Sequence, residues 1–211
     1  MQYNHNRLEM QNKLSKTIGL VILILVNVQC QTEKQNNDEP IIIKESKTRL
    51  ISQDEFSAFQ DNLNTLYSIK EKQTTSNQLE KLSKESSQKF LINLTAKQLH
   101  NNKHSYFKDR RQRIRISIFN YPSLEFGRKA KTNLLNCFPS DCQRIKEGEN
   151  IGAKTTPALY ILDERYIAII QISCEDVTEE WKQIKEEFLI RFKDENSIVI
   201  EAKCGEIYWH E

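Results

Sequence analysis

Residues 113–118 read Arg-Ile-Arg-Ile-Ser-Ile, so Ile114, Ile116 and Ile118 alternate with Arg113, Arg115 and Ser117. A period of two puts the isoleucines on one face of a strand and the polar residues on the other. Pro122 follows and suits the first turn of a helix. That helix is predicted to run to about Asn136, with Phe126, Ala130, Leu134 and Leu135 available to bury. A long loop then carries Cys137, Pro139, Cys142, Gly148, Gly152 and Pro157. Two apolar runs come next, Ala158 to Leu162 and Tyr166 to Cys174, joined by a tight turn at Asp163, Glu164 and Arg165. Asp176 with Glu179 makes a capping pattern ahead of an amphipathic stripe of Trp181, Ile184, Phe188 and Phe192. Ser197 to Lys203 reads as the last strand, and Cys204-Gly205 turns into a short extension ending near Trp209.

From Arg113 the order is therefore β-α-β-β-α-β. This is the order of a ferredoxin-like split βαβ domain, so the sequence predicts an α+β fold with that domain over residues 113–211.

Upstream, Ser52 with Glu55 is a capping-box pattern, and Phe56, Phe59, Leu63, Leu66 and Tyr67 follow at helical spacing. A break at 74–77 separates a second stretch bearing Leu79, Leu82, Phe90, Leu91, Leu94 and Leu99, interrupted by Ser83, Ser86 and Ser87. Residues 51–104 are read as a helical hairpin, and the polar segment 31–50 as a tether.

The chain opens differently. Lys13 and Lys16 precede an apolar run from Ile18 to Val26, and Cys30 follows closely. A cationic segment, a short apolar run and a cysteine or small-residue exit form the layout of an export signal. The run is too short to span a bilayer, which takes roughly 20 apolar residues. Residues 1–30 are read as the signal, with Met10 as an alternative start that would shorten a long cationic region. Lipidation of Cys30 would tether the protein to a membrane, although Asn27, Val28 and Gln29 fit a lipoprotein exit poorly. Cleavage after Cys30 would instead release it.

Residues 1–30 hold three of the 31 Lys and Arg and one of the 29 Asp and Glu, which leaves 28 of each sign. A neutral mature chain argues against a nucleic-acid partner. The strand at 166–172, Tyr-Ile-Ala-Ile-Ile-Gln-Ile, also lacks the aromatic and glycine motif of RNA-recognition strands.

Of the five cysteines, Cys137, Cys142, Cys174 and Cys204 remain after Cys30, and an even number in an exported chain reads as two disulfides. The element order brings all four to one pole. The preferred pairing is Cys137–Cys142 with Cys174–Cys204, while crossed pairings stay open. A four-thiolate zinc site is the competing reading, but the spacing lacks the short paired knuckles of such modules.

No other motif carries chemistry. The sequence holds no Gly-rich phosphate loop, no Gly-x-Ser-x-Gly elbow and no Asp-rich metal loop. His100 and His104 have no glutamate between them, and His210 stands next to the C-terminus. Lys108, Arg110, Arg111, Arg113 and Arg115 form the one basic cluster, read as an open sheet face whose arginines pair with acids of the hairpin. No catalytic residue, metal ligand or cofactor is assigned. The expected role is an exported cell-envelope binding or structural module held to the membrane by lipid on Cys30. A secreted inhibitor or immunity-type protein, using the stapled loop 138–156 against a partner enzyme, is the alternative. A hydrolase is the weaker one.

Overall fold

The computed structural model describes residues 49–71, 77–99, 111–138 and 142–210, all within one compact unit, Ser46–Glu211. They form four helices and eight strands: α1 (Gln53–Leu63), β1 (Tyr67–Glu71), α2 (Asn77–Lys84), β2 (Gln88–Ala96), β3 (Arg113–Asn120), α3 (Leu124–Asn136), β4 (Ile151–Gly152), β5 (Ala158–Leu162), β6 (Tyr166–Ile172), α4 (Glu179–Phe192), β7 (Ile198–Lys203) and β8 (Glu206–His210). The strands make a single sheet in the order β1-β2-β3-β6-β5-β7-β8-β4, antiparallel at every pairing. The fold is α+β.

The sheet is the middle of three layers. On one face α1 and α4 bury Phe56, Phe59, Leu63, Trp181, Ile184, Phe188 and Phe192 against Ile114, Ile116, Ile118, Leu159, Ile161 and Ile170. On the other, α2 and α3 bury Leu79, Leu82, Ala130 and Leu134 against Phe119, Tyr160, Ile167, Ile169 and Ile200. Coverage of both faces explains why β5 is apolar at every position and buried throughout.

From Arg113 the predicted β-α-β-β-α-β elements are present as β3, α3, β5, β6, α4 and β7, with the two-residue β4 before β5 and β8 at the end, but the sheet does not bear out the ferredoxin-like arrangement. There the last strand would lie beside the first, with both helices on one face. Here β7 pairs with β5, and the free edge of β3 is taken by β2. The consequence for the helices is geometric. α3 joins β3 to β5 across β6, and α4 joins β6 to β7 across β5. Both connections step the same way along the sheet while their strand pairs run in opposite senses. Two crossovers of one hand must then put their helices on opposite faces, as found for α3 and α4.

The expected helical hairpin over 51–104 is also corrected. Its described residues form α1, β1, α2 and β2, and both strands belong to the main sheet. The stripe read as one long second helix changes period at Ser83, Ser86 and Ser87. Beyond them Phe90, Ile92 and Leu94 are buried, while Leu91, Asn93 and Thr95 are only half-buried. That is a period of two. The strand begins where the Ser87 N–H donates to the Asn120 carbonyl at 2.8 Å.

Both disulfides take the preferred pairing, Cys137–Cys142 and Cys174–Cys204. Cys137 ends α3, Cys174 follows β6 and Cys204 follows β7, all at the pole where β3 begins. Two disulfides mark a chain that matures in an oxidising compartment. Among the described residues no helix is long and apolar enough to cross a membrane.

Candidate functional site

Helices α2 and α3 cover only part of their face of the sheet. The covered part includes the cross-strand row Leu91, Ser117, Ile169, Tyr160 and Ile200. Two residues further toward the disulfide pole, the same face turns polar. Lys70 of β1 pairs with Asn93 of β2, Asn93 with Arg115 of β3, and Arg115 with Gln171 of β6. Four adjacent strands thus present one straight row. Strands lie about 4.8 Å apart, so it spans about 14 Å. Thr95 and Arg113 are paired in the next row.

These six residues form the floor of an open groove of about 720 Å³, with Thr156, Ser173 and Asp176 at its rim. Three cations face it, and among the described residues none of them makes an ion pair. The rim acid is already engaged. Asp176 Oδ2 accepts from Ser173 Oγ at 2.9 Å and from the Arg113 backbone N–H at 3.4 Å.

Arg115 is the unusual member. It is half-buried, and its Nε is shielded from solvent without a hydrogen-bond partner. Two other arginines have a buried, unbonded Nε, but each anchors its guanidinium elsewhere. Arg49 Nη2 donates to the Arg191 carbonyl at 2.9 Å, and Arg165 Nη2 to those of Tyr121 and Pro122 at 3.1 and 3.0 Å. No such bond holds the Arg115 guanidinium among the described residues.

Among the described residues the hydroxyls of the groove come from Thr95, Thr156 and Ser173, and no histidine or thiol lines it beside them. Tyr160 lies beneath Gln171, and burial pushes its phenol up to about 12 while the Gln171 amide pulls the other way. It stays a neutral phenol near neutral pH.

The other sequence-derived candidates fall elsewhere. Cys30, His100, His104, Lys108 and Arg110 lie outside the described residues. The four remaining sulfurs are paired as disulfides, so their thiolates are not offered to a metal. His210 Nε2 stands 3.0 Å from Glu201 Oε2 on β7, away from the groove. Arg111 is exposed just before β3. The acids expected to pair with Arg113 and Arg115 do not do so among the described residues, because the hairpin that would have carried them is part of the sheet. Trp181, Phe188 and Phe192 are core residues.

Lys70, Asn93, Thr95 and Gln171 were not singled out by the sequence. The missed signal was the alternation of Phe90, Ile92 and Leu94, which places Asn93 and Thr95 on the face of Arg113 and Arg115.

No protein-family model, no curated protein and no solved structure matches this chain.

Proposed function

We propose that the protein is an exported module of the cell envelope, held to the membrane by lipid on Cys30, which binds a ligand in the groove on β1, β2, β3 and β6. One observation carries the binding role: Lys70, Arg113 and Arg115 converge with Asn93, Thr95 and Gln171 on an open sheet face, with no nucleophile–base pair among them. A hydrolase would need such a pair. Within the stapled loop 138–156, Phe138 and Ile145 are buried while residues 146–150 are exposed, so an inhibitor that uses this loop is the alternative reading. The envelope assignment rests on the signal layout of residues 13–30, and the disulfides agree with it.

Mass spectrometry of the chain taken from its own envelope tests both halves. Denatured, the mature chain is expected to begin at Cys30 and carry diacylglycerol and acyl mass in the membrane fraction. Native spectra are expected to show a small-molecule adduct that an Arg113→Ala, Arg115→Ala double variant loses. A soluble chain beginning at Gln31 would overturn the anchor. Identical native spectra for the two proteins would overturn binding in the groove.

A further inference from the structure

Resting on that reading of the groove, we infer that its ligand is a small oxyanion-bearing molecule, a carboxylate or a phosphate, seated on the Arg115 guanidinium. The charge balance points there first. Among the described residues three cationic side chains share one sheet face with a single acid, Asp176, at the rim, so positive charge is in excess. An anion placed among them meets an excess of positive charge above a sheet that partly excludes water, where charge-assisted hydrogen bonds are strongest.

The geometry narrows the anion. Arg115 stands in the middle of its row, flanked by Asn93 and Gln171, with its Nε–H shielded and unbonded. A guanidinium offers Nε–H and Nη–H as a planar fork that fits two oxygens of one carboxylate or phosphate. One bidentate oxyanion there would satisfy the donor of a side chain that no described residue anchors. Arg113 is two residues away on the same strand and face, about 7 Å along it. It would supply the second charge. Asn93 and Gln171 offer amide donors and acceptors on either side. Lys70, two strands out, would meet a second acidic group on a longer ligand. Among the described residues the lining is polar and aliphatic.

The test is titration of the purified mature chain with inorganic phosphate in one arm and citrate in the other, followed by amide chemical shifts at low and physiological ionic strength. Saturable shifts centred on Asn93, Thr95, Arg113, Arg115 and Gln171 are expected in at least one arm, and that arm identifies the oxyanion. Affinity should fall as salt is added, because the groove is open to screening. Arg115→Ala should weaken binding at least about tenfold, as expected for losing hydrogen bonds to a charged group. Arg115→Lys should lose most of that affinity although it keeps the charge, since the fork is gone. Mapping on the wild-type chain does not depend on any variant folding. Absence of saturable shifts in both arms at low ionic strength would overturn the inference, as would shifts centred elsewhere or an Arg115→Ala variant that binds unchanged. A native adduct that persists while neither anion binds would leave the groove as a binding site and remove the oxyanion alone.

Discussion

The carboxamide of Asn120 holds both backbone groups of Ile51: its Oδ1 accepts from the Ile51 N–H at 3.1 Å, and its Nδ2 donates to the Ile51 carbonyl at 2.7 Å. A side chain at the end of β3 thus does for residue 51 what a neighbouring strand would do. Both residues are fully buried. The contact fixes where the chain enters α1, and α1 in turn supplies Phe56, Phe59 and Leu63 to the core.

Replacing Asn120 by Ala should therefore cost about 3 kcal/mol, the cost of leaving a buried N–H and a buried carbonyl without partners. Asn120→Asp keeps the acceptor for the Ile51 N–H but turns an oxygen toward its carbonyl and buries a charge. It should be worse than Ala at neutral pH and recover toward acid. Urea unfolding at two pH values measures both. Equal stability of the wild type and Asn120→Ala would show that the pairing contributes nothing.

Because β2 covers the edge of β3 and α1 covers its isoleucine face, residues 113–211 should not fold alone. Ile114, Ile116 and Ile118 would lose Phe90, Ile92 and Leu94 beside them and the α1 aromatics above them. Circular dichroism and amide spectra of that fragment are expected to show an aggregated or molten chain. A dispersed, monomeric fragment would mean that the first two strands are an accessory to the sheet.

That expectation reverses the one the sequence alone suggests, and the reason lies in what each signal encodes. The isoleucine alternation at 114–118, the cap at Ser52 and the stripe from Trp181 to Phe192 are local, and each marks an element that is present, although the cap of α4 is Thr178 and not the expected Asp176. The gathering of four cysteines at one pole was also legible, since it follows from where the elements end, whereas the choice between local and crossed pairings was left to the structure. Strand order is different. It depends on which segment reaches the free edge of β3, and that segment was hidden because Leu79 and Leu82 are helical while Phe90, Ile92 and Leu94 are not. The groove inherited the error. Arg113 and Arg115 stood out by alternating in one strand, whereas Lys70, Asn93 and Gln171 join them only through the pairing register.

Gly127 lies one turn into α3, where a built Cβ would sit 1.9 Å from the Glu164 carbonyl oxygen in the β5–β6 turn. The clash is with backbone, so the helix and the turn would have to separate. Alanine is the better helix former by about 1 kcal/mol, yet Gly127→Ala should lower stability by about 2–3 kcal/mol, the range for overpacking. Thermal unfolding gives the sign. A stabilised variant would show that the helix can shift at no cost.

Glu201 is partly buried on β7, which works against its charged form, but the Lys185 ammonium, His210 and Lys203 outweigh burial and hold its carboxyl below the usual range. A depressed carboxylate adds stability that is present above its unfolded pKa and lost as pH falls through the folded one. The window therefore lies below the ordinary glutamate value of 4.5. Lys185→Met removes the Glu201 partner, and should cost about 2 kcal/mol at pH 7. The gap between variant and wild type should close as pH falls below that value. Denaturation midpoints from pH 7 to 3 follow it, and a gap that stays constant would assign the loss to packing of the lysine stem.

The two disulfides should differ in worth because they close loops of different length. Cys174–Cys204 spans 30 residues and ties the end of β6 to the end of β7, whereas Cys137–Cys142 spans 5. Loop-closure entropy makes the longer bridge worth about 4 kcal/mol and the shorter about 2. Cys174→Ser and Cys204→Ser should each cost the larger amount, and the double variant little more, since one bond is lost in all three. Thiol labelling of the unfolded, unreduced chain should modify none of the four sulfurs. The longer bridge also lies next to the groove, because Ser173 and Asp176 of its rim flank Cys174. Its loss should loosen that rim, so amide exchange at Ser173 and Asp176 should speed up more in Cys174→Ser than in Cys137→Ser. Equal exchange in the two variants would show that the rim is held by Gln112 Nε2, which donates to the Asp176 carbonyl at 2.8 Å, and not by the disulfide.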